Sequence, residues 1–248
     1  MRVIGKDPKL AVEYETETLS DRIYRQLKRG LKSGVYRPGQ KITNRAVATA
    51  LNVSQTPVRE AVARLVSEGG LAMTGPKTVI VPRLLLDQYE EIIGIRLLLE
   101  ARAAELAATK ADAAFIDELE ALHLAFTARR GAGDFAAALE FNERFHFTLY
   151  AHAGQPRLFS IIDSLWVSFG PTLSLIYPKF GADDDGVRPH SDAIAAMRRG
   201  EPQEVRRAIE NDLEIGRLKI LPLLAELADA DGGDVAHFRS VSPQAHVG

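Results

Sequence analysis

The chain has 248 residues, of which 46% are apolar and 26% charged, and no cysteine. That apolar content excludes a chain disordered throughout, and the lack of Cys excludes disulfides, iron–sulfur clusters, thiolate zinc sites and a cysteine nucleophile. The net charge of −2 hides an asymmetry: residues 1–82 carry 14 Lys/Arg against 7 Asp/Glu, and residues 83–248 carry 17 against 26. A basic module ahead of an acidic one is expected where the first part meets a polyanion.

No run approaches the roughly 20 apolar residues of a membrane-spanning helix, and Met1–Pro8 lacks the apolar core of a signal peptide. The expectation is a soluble, cytoplasmic protein. Residues 1–17 mix charges without periodicity and read as a flexible arm. Leu19, Ile23, Leu27 and Leu31 recur every four residues, one face of a helix. Gly34 ends it, and Tyr36-Arg37-Pro38-Gly39 makes a turn. A short helix fits residues 44–51, with Thr43 as its N-cap. Asn52, which tolerates left-handed backbone, makes the turn into a third helix. Ser54 is the expected N-cap of that helix, Pro57 is tolerable in its first turn, and Val58, Val62 and Leu65 form its buried stripe. Gly69-Gly70 stops it. Residues 71–74 and 78–81 are short β-like runs around Gly75-Pro76-Lys77, a small hairpin.

Helix, helix, turn, helix and hairpin within 18–82 outline a winged helix-turn-helix. Pro82 marks the boundary, and residues 83–227 read as all helical. Asp87, Asp112 and Asp134 stand at N-cap positions. Helices are expected near 87–109, 112–130, 134–153, 156–177, 188–199 and 202–227, broken at Gly/Pro-rich connections, which argues for an antiparallel bundle. The fold class is therefore mainly α, a winged helix-turn-helix followed by an all-helical bundle for effector binding and dimerisation. Residues 228–248, with Gly232-Gly233 and Pro243, read as a disordered tail.

A helix entering the major groove needs small or polar residues at its N-terminal end and an arginine able to fork onto guanine. Ser54, Gln55 and Thr56 supply the first, and Arg59, one turn on, supplies the second. Arg45 on the preceding helix is placed to grip phosphate or a base edge, and Lys77 in the hairpin to reach the backbone or minor groove. Taken singly, each basic residue also reads as a solvated charge.

The runs Leu19-Ser20-Asp21-Arg22-Ile23-Tyr24, Tyr36-Arg37-Pro38-Gly39-Gln40 and Leu51-Asn52-Val53-Ser54-Gln55-Thr56-Pro57-Val58-Arg59-Glu60-Ala61, with Arg64-Leu65, closely resemble the GntR family of bacterial transcription regulators. The resemblance implies that Arg45, Thr56 and Arg59 contact operator DNA, with Ser54 and Gln55 beside them and the wing in the minor groove. Asn44 stands where the family often has Glu, and Gly75-Pro76-Lys77 replaces its basic-Gly wing tip.

The second half resembles the FadR-type helical effector domain of one GntR subfamily. The stretches that carry this are Ile95–Ala104, Asn142-Glu143-Arg144-Phe145-His146 leading to Ala153-Gly154-Gln155-Pro156, and His190-Ser191-Asp192-Ala193-Ile194. Many such domains hold a divalent metal with one Asp and three His. Carried over by position, the set here is Asn142, His146, His190 and Asp212, with an amide for the first carboxylate and a carboxylate for the last imidazole. Two His and one carboxylate suit Zn, Ni, Mn or Fe with open positions for an acid. His146, His190 and Asp212 read equally as hydrogen-bonded, metal-free bundle residues. Effectors of the subfamily are often small organic acids, and Arg96 matches an arginine that could fork onto a carboxylate; a surface or interhelix ion pair is its other reading. The aromatics Phe141, Phe145, Phe147, Trp166 and Phe169 read as core, and Asp183-Asp184-Asp185 as a solvated loop.

Two Glu-x-x-His motifs, Glu120/His123 and Glu143/His146, raise the alternative of a di-iron enzyme, although only 23 residues separate them. No phosphate loop, G-x-S-x-G elbow or Ser-His-Asp triad is evident, so the protein reads as no enzyme. The expectation is an effector-responsive DNA-binding regulator, a repressor. One recognition helix reads too few base pairs, so a homodimer on a near-palindromic operator is expected, its half-sites about 34 Å apart. A constitutive DNA-binding dimer without effector is the remaining alternative.

Overall fold

The first helix begins where the sequence supplies its own cap: the Thr18 hydroxyl accepts from Asp21 N at 3.1 Å, and the Asp21 carboxylate accepts from Thr18 N at 3.3 Å, satisfying two of the orphan donors of a helix start. The computed structural model describes residues 17–75, 78–176 and 185–230. Most of the expected arm, Lys77 at the wing tip, Asp183 and Asp184 of the acidic run, and the expected tail from 231 onward lie outside the described residues.

Helix α1 (Leu19–Lys32) buries Ile23, Tyr24, Leu27 and Leu31; Leu19, the fourth member of the expected stripe, is 43% exposed at the helix start. The strand β1 (Lys41–Ile42) follows, then α2 (Asn44–Leu51) and α3 (Gln55–Ser67). Thr43 caps α2 by accepting from Ala46 N at 3.1 Å. Asn52 turns the chain in the left-handed region at φ 53°. Val58, Val62 and Leu65 are buried as their spacing requires. Strands β2 (Ala72–Gly75) and β3 (Thr78–Ile80) form the hairpin. The sheet has three strands, in the antiparallel order β1-β3-β2. The two residues of β1 are too few for an alternating pattern, so the sequence carries no signal for them.

The second half is built from α4 (Leu86–Ala108), α5 (Ala113–Gly131), α6 (Phe135–His152), α7 (Pro156–Leu173), α8 (Arg188–Arg198) and α9 (Pro202–Ala230). Asp112 and Asp134 cap α5 and α6 by accepting from Phe115 N and Ala137 N at 2.8 and 3.3 Å. Asp87 does not cap α4. The helix starts earlier, from Leu85, whose N–H donates to the Gln88 carboxamide at 3.0 Å. Helix α7 stops at Leu173, short of the expected 177, with Pro171 in its last turn, while α9 continues to Ala230 instead of stopping at 227.

Each half has its own apolar core, and α7 belongs to both. Trp166, Phe169 and Leu173 pack in the bundle, whereas Val167 packs among Leu27, Leu31, Leu65 and Leu71 of the winged helix. Two glycines permit this approach. A Cβ on Gly170 would lie 2.4–2.6 Å from the backbone of Leu31 and Lys32, and one on Gly70 would lie 2.3 Å from Val167. Lys32 at the end of α1 then reaches Glu143 on α6 at 2.9 Å and Asp163 on α7 at 2.8 Å. Its ammonium sits over the Phe147 ring at 3.5 Å. Lys28 adds a second contact to Asp163 at 2.5 Å. Burial alone would push the Asp163 carboxyl up; Lys32 and Lys28 outweigh it and hold the group below the usual carboxylate range. The winged helix is thus seated on the bundle through a half-buried charge clasp beside a glycine-lined contact.

Candidate functional site

The recognition helix α3 is presented by its own sequence. Ser54 occupies the N-cap with extended backbone, yet its side chain makes no cap hydrogen bond, contrary to the expectation that it caps. Pro57 occupies the third helical position, where a cap hydroxyl would normally find an N–H, and proline has none. The Ser54 hydroxyl is therefore left at the exposed start of the helix. Arg45, Ser54 and Gln55 line one shallow surface cleft with Thr49 and Asn52. Thr56 and Arg59 are exposed on the same helix. Among the described residues, neither Arg45 nor Arg59 is held by an acidic side chain. Arg64 differs, tied to Glu68 and Asp21 and lying over the Tyr24 ring at 3.7 Å. Arg64 is a structural cation; Arg45 and Arg59 are available ones.

Inside the bundle lies a cavity of about 80 Å³, lined by Tyr89, Arg96, Arg130, Asn142, His146, Asp212 and Lys219 among apolar side chains that include Trp166, Phe169 and Leu173. A single water needs roughly 10–15 Å³ measured in this way, so the space suits a small polar molecule. Arg130 and Lys219 add two cations that the sequence reading missed, because Arg130 reads as an ordinary basic residue of a helix end. The Tyr89 hydroxyl is buried and has no hydrogen-bond partner among the described residues.

His146 and Asp212 line the cavity, and His190 meets them from behind its wall. The two Nε2 atoms are 3.2 Å apart, His146 Nε2 is 3.3 Å from Asp212 Oδ2, and His190 Nε2 is 3.8 Å from Asp212 Oδ1. Ligands bound at roughly 2.1 Å to one ion stand about 3.0–3.4 Å from one another; two of the three separations lie in that range and the third is a few tenths of an ångström longer, so the donor set suits a divalent cation in chemistry and, with a small adjustment of His190 or Asp212, in spacing. Asn142, one turn before His146 on α6, lines the same cavity. His190 is fully buried, stacked on Phe145 with centroids 4.0 Å apart and edge-on to His123 at 5.8 Å. Burial, aided by the neighbouring imidazoles and opposed by Asp212, pushes its pKa down to about 3. His190 is therefore neutral near pH 7, the form a metal requires. Asp212 is held below the usual carboxylate range, burial notwithstanding, by its contact with His146.

Behind His146 lies a fully buried polar network. Arg96 donates through Nε and Nη2 to the two oxygens of Glu100 at 2.6 and 3.2 Å. Glu100 also accepts from Trp166 Nε1 at 2.8 Å and from the Tyr150 hydroxyl at 2.7 Å. That hydroxyl lies 3.1 Å from His146 Nδ1. Burial, then the Glu100 charge, pushes the Tyr150 phenol well above its ordinary pKa, so it keeps its proton. Arg96 thus makes an ion pair, but a buried one within α4 rather than the expected surface or interhelix pair, while its side chain still lines the cavity, sandwiched by Phe169 and Trp166 at 3.8 and 4.6 Å. Glu100 and Tyr150 escaped the sequence reading, although each stands four residues from a residue it singled out.

The two Glu-x-x-His motifs do not build a di-iron centre. Glu143 turns away to Lys32, and Glu120 pairs with Arg198 at 2.7 Å, so neither carboxylate joins the imidazoles.

Comparison with known proteins agrees with the geometry. Residues 19–77 match the family described as bacterial regulatory proteins, gntR family, and residues 91–214 match the FCD domain. The chain is 32% identical over 160 residues to the HTH-type transcriptional regulator McbR of Escherichia coli K12, covering 64% of this chain and 72% of McbR. It is 25% identical over 202 residues to the HTH-type transcriptional repressor RspR of the same organism, covering 80% of this chain and 87% of RspR. The solved structure of E. coli McbR/YncC superposes with a TM-score of 0.77 at 26% identity, over 85% of this chain and 98% of that one. These relatives are transcriptional regulators, not enzymes.

Proposed function

The chain belongs to the GntR family of transcriptional regulators and carries an FCD domain, and on that premise we propose that it is a dimeric, cytoplasmic repressor whose hold on a near-palindromic operator is set by a small organic acid in the bundle. Arg45, Ser54, Gln55, Thr56 and Arg59 read the DNA, and Lys77, outside the described residues, joins them in contacting it. The observation that carries the effector reading is the cavity itself, where Arg96, Arg130 and Lys219 stand around the cluster of His146, His190 and Asp212. His146, His190 and Asp212 would hold a divalent ion (Zn, Ni, Mn or Fe), with the Asn142 amide beside them. When bound, the ion supplies an open position for a carboxylate. Arg96 and its neighbouring cations orient the rest of the acid, and Trp166, Phe169 and Leu173 exclude water.

Coupling to DNA has a physical route. Helix α6 carries Asn142 and His146 on its cavity side and Glu143 toward Lys32 of α1. Helix α7 lines the cavity with Trp166 and Phe169 and plugs the winged-helix core with Val167. An acid that shifts α6 or α7 moves the seat of the DNA-reading head, and only an acid with different affinity for the two arrangements can do so. Leu98, 69% exposed, and Ile95, 38% exposed, give α4 an apolar outer stripe suited to a second copy. The name of RspR as a repressor supports the sign of the response. Among the described residues, no helix is long and apolar enough to cross a membrane.

Thermal melting against a panel of small organic acids, each with added divalent metal and with chelator, tests this reading. An acid at 100 times its dissociation constant adds about 2.7 kcal/mol, and the shift should vanish with chelator. A chelator-insensitive shift would remove the ion from the site, and no shift with any acid would favour a constitutive DNA-binding dimer.

A further inference from the structure

We propose that the cavity has a second polar end, built on Tyr89 beside Lys219, and that the acid it takes is a short dicarboxylate held by one carboxylate at each end. The proposal rests on the effector reading above and needs no ion.

The two ends follow from the packing of α4 on α9. Ion pairs join Glu105 to Arg206 at 3.3 Å and Glu90 to Arg217 at 3.8 Å, so the two helices run antiparallel. That register sets Arg96 level with Asp212, and Tyr89 level with Lys219. Each helix lines the cavity with residues at i, i+4 and i+7: Tyr89, Ile93 and Arg96 on α4, and Asp212, Gly216 and Lys219 on α9. Seven residues of helix span about 10 Å, so two polar ends stand apart with Ile93 and Gly216 between them. A volume of about 80 Å³ holds roughly five to eight groups of water size. That suits a chain of a few carbons with a carboxylate at each end.

Tyr89 is the residue that calls for a ligand. It is 0% exposed, and its hydroxyl has no hydrogen-bond partner among the described residues. A buried hydroxyl left unpaired is costly, and a ligand oxygen that accepts from it offsets the cost. The Tyr89 ring is tilted against Phe169 with centroids 5.9 Å apart, and the Arg96 guanidinium lies over that same Phe169. One aromatic ring therefore braces both ends. Burial pushes the Tyr89 phenol above its ordinary pKa, so the hydroxyl keeps its hydrogen and donates. Lys219, 3.6 Å from Asp185, can only donate. Two donors, one of them cationic, select an anionic oxygen over a methyl group or an amine.

Calorimetric titration of the full-length protein tests this end. The probes are malonate and succinate, beside isovalerate and isocaproate, in which a branched pair of methyls replaces the far carboxylate. The parent should bind the better diacid about 10–100-fold more tightly than its apolar counterpart. Tyr89→Phe should weaken the diacid about 10-fold and leave the counterpart unchanged. Its ligand-free melting temperature should be no lower than the parent's, because the hydroxyl holds nothing within the fold. Equal parental affinities for diacid and counterpart, or a preference that Tyr89→Phe retains in full, would overturn the second end and leave an acid site at Arg96. A lowered ligand-free melting temperature would overturn it too, since the hydroxyl would then have a partner in the protein. A parent that binds none of the four acids would overturn the effector reading and the proposal together.

Discussion

Pro57 matters at Ser54 because it removes a hydrogen. With no N–H at the third position of α3, the Ser54 hydroxyl has no cap partner and stands free at the end of the helix that would enter the groove. The same turn exposes Gln55 and Thr56, and the next exposes Arg59 with no acidic side chain beside it among the described residues. A free guanidinium there is suited to a forked contact with guanine O6 and N7. Arg59→Ala should cost about 1–3 kcal/mol of operator affinity and relax base preference at one position. Fluorescence anisotropy on a set of single-base operator variants would show it. Unchanged affinity and preference would take Arg59 out of the groove. Ser54 also shows what a sequence conceals at this scale: its residue type says cap, and only the proline three positions on says otherwise.

At the scale of elements, the helices were legible because each carries its own start or stop. Thr43, Asn52, Asp112 and Asp134 do in the structure what their side chains predict. Leu85 does not fit that scheme, since the acceptor comes from Gln88 inside the helix. Contacts between elements were less legible. Nothing in the period of α7 says that Val167 serves the winged-helix core while Trp166 serves the bundle, nor that Gly170 lies against the backbone of α1. The Lys32 clasp joins residues more than a hundred positions apart in sequence, so spacing gives no warning of it. Cutting it should uncouple the two halves. In Lys32→Met, acid-free operator affinity should stay close to the parent's. The acid-induced weakening, expected at about 5–150-fold in the parent, should shrink toward no effect. Full retention of that weakening would place the coupling elsewhere, in the Val167 and Gly170 contact.

Across the whole molecule, the charge asymmetry between the halves corresponds to a division of work. The basic half forms a small winged helix with an exposed reading face, and the acidic half forms a bundle around a cavity that concentrates Arg96, Arg130 and Lys219. An overall charge of −2 conceals both, because it sums a basic half and an acidic one. The metal-fitting set was legible as positions, since Asn142 and His146 share a helix face and His190 and Asp212 follow on α8 and α9. What was not legible was that Asp212 points inward and that a buried network of Arg96, Glu100 and Tyr150 stands behind His146. Both depend on how α4, α6 and α9 pack, a tertiary outcome that helical spacing does not fix.

On the function proposed above, occupancy of the bundle governs the hold on DNA. The most direct measurement is the affinity of the full-length protein for a duplex selected from a random pool by the protein itself. The titration would be repeated with the acid identified by thermal melting, with metal and with chelator. A regulator switched from its bundle loses about 5–150-fold in affinity when the acid is present and recovers it when chelator is added. An affinity that stays the same under all three conditions would contradict the switch and leave a dimer that holds its operator regardless of what the bundle contains.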